Sequence, residues 1–235
     1  MSLLTLVQNA AKELGLASPS TAYASTDAQV IELVALAQRE GIELMQDFDW
    51  QVLTAEKTFT SVALADQTTA SAVPTDFDRF VPETFFNRSR KRPVFGPISA
   101  QDWQFTQAVV ATTLVESFRQ RGNAILITPT PAAGDTYAYE YISKNWCESS
   151  GGTDQAAWAA DTDVGILPES LMTLGVIWRF LRAKGFDYAE AFRTYELAKA
   201  KAQSKDGGKR RMSMAHRTTN YPRAPYVQEG SWNLS

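Results

Sequence analysis

The hydrophobic period changes twice along these 235 residues, from helical to alternating and back, and no other feature narrows the possible folds as much. Apolar residues three and four apart share one face of a helix, whereas alternation puts them on one face of a strand. Leu4, Val7, Ala11 and Leu14 keep the helical spacing, and Gly15 followed by Leu16 supplies a left-handed cap with its apolar follower. A second helix is predicted from Thr26, which with Gln29 has the spacing of a capping box, to about Phe48. Its stripe of Val30, Leu33, Val34, Ala37, Gly41, Leu44, Met45 and Phe48 is broad enough for a central place in a bundle. Ile31 and Leu36 lie off that stripe, which predicts a second contact with a further helix or a neighbouring subunit.

From about residue 57 to 146, β-branched and aromatic residues alternate with Pro and Gly punctuation, as in short strands. Residues 80–86 and 93–95 flank Asn87-Arg88-Ser89-Arg90-Lys91-Arg92, which predicts a hairpin with a basic tip. Ser99 and Asp102 cap a short helix carrying Trp103 and Phe105, and Arg121-Gly122-Asn123 marks a second turn. Tyr137, Tyr139 and Tyr141 fall on one face of a strand over residues 135–143, where cross-strand packing is favoured over a sugar or peptide platform. A polar loop opens at Gly151-Gly152. Helical spacing then resumes at Pro168 and Glu169, with Leu171, Leu174, Trp178 and Leu181 on one face as far as Lys184 and Gly185. A last helix from about Asp187 places Tyr188, Phe192, Tyr195 and Ala202 together, and the periodicity stops after Ser204. The fold class is therefore α+β. A helical bundle is built from the two N-terminal helices and the C-terminal pair (residues 1–50 and 164–205), with an antiparallel β region (51–163) inserted and an extended C-terminal arm (206–235).

Charge is unevenly placed. The chain carries a net −3, but residues from Asp206 onward hold five bases and two acids, leaving −6 on the rest. A body of that sign is a poor general binder of nucleic acid, because such affinity comes from clustered Lys and Arg on phosphates. The single Cys147 fits a reducing compartment such as a bacterial cytoplasm. The first sixteen residues lack a signal peptide's basic start, and Glu32, Arg39, Glu40 and Glu43 interrupt the most apolar stretch, so no membrane span is expected.

Enzyme chemistry fails on inventory. His216 is the sole histidine and lies in the arm, so a nucleophile would have no base on a rigid element. One Cys and one His far apart do not make a zinc site, and neither Gly151-Gly152 nor Gly207-Gly208 opens a phosphate loop. No catalytic, cofactor or metal residues are expected. The pairs Asp47 and Asp49, Asp76 and Asp78, and Asp161 and Asp163 are formally able to serve acid/base or divalent-metal chemistry, but aspartates beside Trp50, Phe77 and Phe80 more often cap backbone amides. Two basic clusters remain. Arg88, Arg90, Lys91 and Arg92 suit a phosphate or acidic partner, a tail protein or a neighbouring subunit, the alternative being a solvated turn that discourages edge pairing. Lys209, Arg210, Arg211, Arg217 and Arg223 share the arm with Tyr221, Pro222, Pro225, Tyr226 and Trp232, a mixture suited to docking on protein.

The sequence resembles the head–tail adaptor proteins of tailed phages, including the tail tubular A-like proteins of short-tailed viruses. The likeness rests on Leu3-Leu4-Thr5-Leu6-Val7-Gln8, Asp49-Trp50, Pro74-Thr75-Asp76-Phe77-Asp78-Arg79-Phe80, Gly96-Pro97-Ile98-Ser99 with Trp103, and Arg121-Gly122-Asn123. It continues through Pro129-Thr130-Pro131 with Gly134, Glu140-Tyr141-Ile142-Ser143-Lys144-Asn145-Trp146-Cys147, Leu174-Gly175-Val176-Ile177-Trp178-Arg179, Ala183-Lys184-Gly185-Phe186-Asp187-Tyr188 and Arg193-Thr194-Tyr195-Glu196. One departure is residues 63–73, Ala- and Thr-rich without the aromatic expected ahead of Pro74. The resemblance implies a structural virion protein made in the host cytoplasm. It implies a ring, usually of twelve copies, in the neck between portal and tail or nozzle proteins, with genomic DNA passing through unbound, no membrane, and the C-terminal arm reaching into the portal. The competing readings are a nucleic-acid-binding regulator acting through the basic arm and a carbohydrate-active enzyme using a carboxylate pair.

Overall fold

A computed structural model describes residues 1–108 and 115–207 of the chain. Helix α1 (Leu3–Glu13) starts where the Ser2 side chain accepts from the Thr5 N–H. It ends as expected, with Gly15 at φ 70° and the Leu16 N–H returned to the Ala11 carbonyl at 2.8 Å. Helix α2 (Ala28–Asp47) opens one residue later than the sequence suggested: Asp27, not Thr26, caps it, accepting from the Gln29 N–H at 2.8 Å. A carboxylate serves better there than a hydroxyl because it also meets the positive end of the helix dipole.

Among the described residues ten strands follow: β1 (Thr54–Thr60), β2 (Phe77–Phe80), β3 (Phe86–Asn87), β4 (Arg92–Pro93), β5 (Ser117–Arg121), β6 (Ala124–Thr128), β7 (Thr136–Ser143), β8 (Cys147–Glu148), β9 (Asp154–Gln155) and β10 (Val164–Gly165). The largest sheet is organised around β7. On one side β7 pairs antiparallel with the whole of β1 through Thr136–Ile142, and on the other it is shared by β2 at Tyr141–Ser143 and by β3 at Tyr137 and Ala138, with β4 beyond β3. Both predicted hairpins are present, β3–β4 around the basic tip and β5–β6 around Gly122-Asn123. The capping box of α3 (Ala100–Ala108) also forms, with the Ser99 hydroxyl accepting from the Asp102 N–H at 3.0 Å. A 3-10 turn, Thr68–Ala70, occupies the stretch that departs from the adaptor pattern.

Helices α4 (Glu169–Lys184) and α5 (Ala189–Lys205) complete the described chain. The central helix is α4 rather than α2, since α1, α2 and α5 all pack on it. Leu171, Met172, Gly175, Val176, Arg179 and Phe180 are buried around its circumference, whereas the predicted face members Leu174 and Leu181 are only half-buried. The sequence carries the reason: between Glu169 and Lys184 the only charges are Arg179 and Arg182, so almost no side of this helix needs water. Pro168 stands at its N-cap instead of in the first turn.

Two hydrophobic clusters result, and β7 is the wall between them. Tyr137, Tyr139 and Tyr141 face the first, where Phe59 stacks on Tyr137 at 5.5 Å and Phe80 tilts onto Tyr139 at 4.8 Å. The tyrosine row is thus buried packing. Ile142, on the opposite face of β7, joins the helical cluster together with Trp146, Cys147 and Trp158. Helices cover that end of the outer face and leave Glu140 exposed.

Candidate functional site

All three Asp-x-Asp pairs are engaged in structural bonds. Asp47 meets Lys199 at 2.5 Å, and Asp49 meets Arg79 at 2.7 Å. Asp76 accepts from the Tyr141 hydroxyl at 3.0 Å and the Ser143 hydroxyl at 2.8 Å, and Asp78 pairs with Arg79. Asp161 accepts from the Ala22 and Tyr23 N–H groups, and Asp163 from those of Ala159 and Ala160. Arg79 has a further part, because its Nη2 donates to the Met45 and Phe48 carbonyls at 3.2 and 3.0 Å and so closes the C-terminal end of α2. Among the described residues no cluster of three or more metal-type ligands occurs, and no helix is long and apolar enough to cross a membrane.

The hairpin tip is one of the two basic clusters in which the sequence suggested a partner, the alternative being a solvated turn, and the structure divides its four bases. Asn87, fully buried, donates from Nδ2 to both oxygens of Glu116 at 3.3 and 3.2 Å. The Tyr137 hydroxyl donates to Glu116 at 2.9 Å, and Arg90 reaches into the same cluster at 2.8 Å from Asp135 and 3.6 Å from Glu116. Burial, then the Glu116 hydrogen bond and charge, push the Tyr137 phenol well above its ordinary range. Arg90 is therefore a girder of the hairpin. Arg88 is half committed, forming an exposed ion pair with Glu56 at 2.9 Å. Lys91, at φ 54°, and Arg92 are exposed and make no ion pair among the described residues.

Beneath the tip, the outer face of the sheet holds a groove of about 870 Å³ lined by Glu56, Phe86, Arg88, Pro93, Ala138 and Glu140, among others. Phe86, Ala138 and Thr58 lie side by side in register on β3, β7 and β1, with the Ala138 side chain buried between its larger neighbours.

The sequence reading missed the most deeply buried charges. Glu40 of α2 is 0% exposed and meets Arg179 of α4 at 2.7 Å, and Arg179 also holds Glu43 at 2.7 Å. The backbones approach closely because Gly175 leaves the space that the Glu40 carboxylate fills, as Gly41 does for the Trp146 ring. Burial raises Glu40 above the usual carboxylate range more than Arg179 lowers it, and burial followed by the Glu40 charge raises the Tyr195 phenol. Arg179 lies 4.5 Å over the Trp178 ring, which meets Phe192 and Tyr195 of α5 at 5.1 and 5.9 Å. One polar joint thus links α2, α4 and α5. A signal for it existed: Glu40 falls in step with Leu33, Ala37 and Leu44, and Gly175 and Arg179 stand one turn apart inside an apolar helix.

Outside this joint, helical apolar side chains face solvent. Ile31 and Ile42 of α2 are 52% and 36% exposed, Leu197 of α5 is 64% exposed, and Phe186 in the α4–α5 corner is 61% exposed. Of the off-stripe residues of α2, Ile31 is thus solvent-facing while Leu36 packs partly on the helical cluster. In α5 only Tyr195 is buried. The arm residues Lys209, Arg210, Arg211, Arg217, Tyr221, Arg223, Tyr226 and Trp232 lie outside the described residues. The arrangement is one of paired structural charges beneath a surface with exposed apolar side chains. The family model described as SU10 adaptor protein matches residues 1–225. No curated protein matches the chain.

Proposed function

The chain belongs to the SU10 adaptor protein family, a phage adaptor family, and from that premise we propose that it forms the adaptor ring joining a portal to a tail. It is a structural component of the virion. The observation that carries the ring is the apolar surface left on the helices: α5 buries Tyr195 alone, while Ile31, Ile42 and Leu197 face out. Helices of this length draw most of their stability from packing, and a helix so thinly buried gains by meeting another surface. Leu197 of one copy against the Ile31 and Ile42 face of the next is a head-to-tail contact, which closes into a ring when the rotation per copy divides the circle; twelve copies is the expected number. The arm beyond Gly207 docks on the portal through Tyr221, Tyr226, Trp232 and its arginines. Lys91 and Arg92 meet a tail or nozzle protein or a neighbour, and DNA passes a body of net negative charge without sticking.

The test is to mix the purified chain with portal rings and score attachment by electron microscopy. Attachment is expected for the full chain, incomplete rings for Leu197→Asp, and loss of attachment after truncation at Gly207. Undiminished attachment of the truncated chain would place docking elsewhere, with the Lys91 and Arg92 tip the next surface to test. Duplex binding tighter than roughly 10⁻⁶ M at physiological salt would instead favour the regulator reading, since ordinary non-specific affinity lies at or below that strength.

A further inference from the structure

The outer-sheet groove has an apolar floor and a charged rim that no intramolecular element fills among the described residues. Half-buried Phe86 and Pro93 supply its apolar lining, and exposed Glu56 and Glu140, opposite each other on β1 and β7, supply carboxylates. Glu140 has no cationic partner among the described residues, and Glu56 has only Arg88, in an ion pair whose side chains are 52% and 49% exposed. An exposed pair of this kind contributes little and opens readily. The recognition chemistry offered is a ring-sized hollow beside carboxylates.

The chain itself carries a segment of matching chemistry. Residues 221–226 read Tyr-Pro-Arg-Ala-Pro-Tyr, which is a Pro-x-x-Pro spacing with an arginine inside and a tyrosine on each flank. Such segments are predisposed to the polyproline II helix and dock in aromatic-lined grooves at low cost in entropy. The exit point of the arm is also favourable. Asp206 accepts from the Gln51 N–H at 2.8 Å and Gly207 lies against the Gln51 side chain, so the chain leaves α5 at the foot of β1, the strand that carries Glu56. From Gly207 to Tyr221 an extended chain spans up to roughly 45 Å, ample to reach along a strand of seven residues.

We infer that the groove beside Phe86 and Pro93 receives the chain's own segment Tyr221 to Tyr226, the prolines and a tyrosine resting on Phe86 and Pro93 and Arg223 taking the Glu56 and Glu140 carboxylates. The docking is intramolecular, and it holds whatever the arm later binds in the particle. Its consequence is a stored arm: the segment's aromatics are covered until a partner competes for them.

Proximity trapping in the full-length chain tests this. Cysteines replacing Thr58, an exposed neighbour of Ala138 in register, and Ala224 should form an intramolecular disulfide under mild copper–phenanthroline oxidation, mapped by mass spectrometry of dilute protein. A control pair joins Ala224→Cys to a cysteine at exposed Gln46, next to Asp47, which α5 touches through Gln203 and Lys199, so a wandering arm meets it at least as often. The buried Cys147 does not compete. The Thr58 pair should link about tenfold faster than the control, the gain expected of a raised effective concentration. Adding Pro222→Ala, Arg223→Glu and Pro225→Ala should erase that advantage. Equal rates for the two pairs, an advantage that survives the triple change, or links only between chains would each overturn the inference.

Discussion

An alanine at Gly175 sets two effects against each other. Alanine is the better helix former, and in a helix interior the exchange alone stabilises by about 1 kcal/mol. The new methyl, however, falls well inside contact distance of the Glu40 carboxylate. Glu40 has no route to water at 0% exposure, so relief requires it to leave Arg179, with which it now shares a 2.7 Å bond. Breaking a buried pair costs about 3–5 kcal/mol, and the Glu43 contact that Arg179 keeps favours the lower end. The expected net loss is about 2–4 kcal/mol, read from urea unfolding followed by circular dichroism near neutral pH. In a Glu40→Ala background the added methyl occupies vacated space, and the same substitution should instead recover about 1 kcal/mol. A Gly175→Ala protein as stable as the parent, or one whose loss is the same in both backgrounds, would refute the close packing of Glu40 against α4.

Gly41→Ala should cost about 1–3 kcal/mol by overpacking, because the added carbon strikes the fully buried Trp146 ring, itself held edge-on by Trp158 at 5.0 Å; an unchanged urea midpoint would count against this. Stability should fall as pH rises above 10. Burial raises the phenols of Tyr137, Tyr139 and Tyr195 and pushes Tyr141 up to about 12, so the folded state keeps protons that the unfolded chain releases near its ordinary value of 10.0. That contribution is complete below pH 10 and lost as pH climbs toward 12, by up to about 1.4 kcal/mol per pH unit for each raised group. Urea midpoints equal at pH 9 and pH 11 would contradict it. The Cys147 thiol, pushed up to about 12 by burial and then by Asp163, should react with a thiol reagent only as fast as the protein opens; rapid labelling in native buffer would show otherwise.

Most of what was legible in the sequence was local. The Gly15-Leu16 cap, the Ser99-Asp102 capping box and both hairpins depend on residues within a few positions of one another, and each is present where the spacing put it. The one-residue shift from Thr26 to Asp27 shows the grain of such reasoning, since two adjacent residues are both good caps and the helix dipole separates them. The alternation at Tyr137, Tyr139 and Tyr141 assigned them to one face, and the aromatic residues available to pair with them favoured packing.

What only the tertiary structure decided was which charges are spent. Nothing near Arg90 in the chain reveals Glu116 and Asp135, and nothing near Arg88 reveals Glu56, yet those contacts leave Lys91 and Arg92 as the tip's bases without an ion pair among the described residues. Glu40 and Arg179 are separated by 139 residues and meet across a gap opened by Gly175. The central place of α4 over α2 was settled in the same way. Amphipathic spacing tells a helix which face to bury, but not against what, because burial is a property of the neighbours that three-dimensional packing brings to that face.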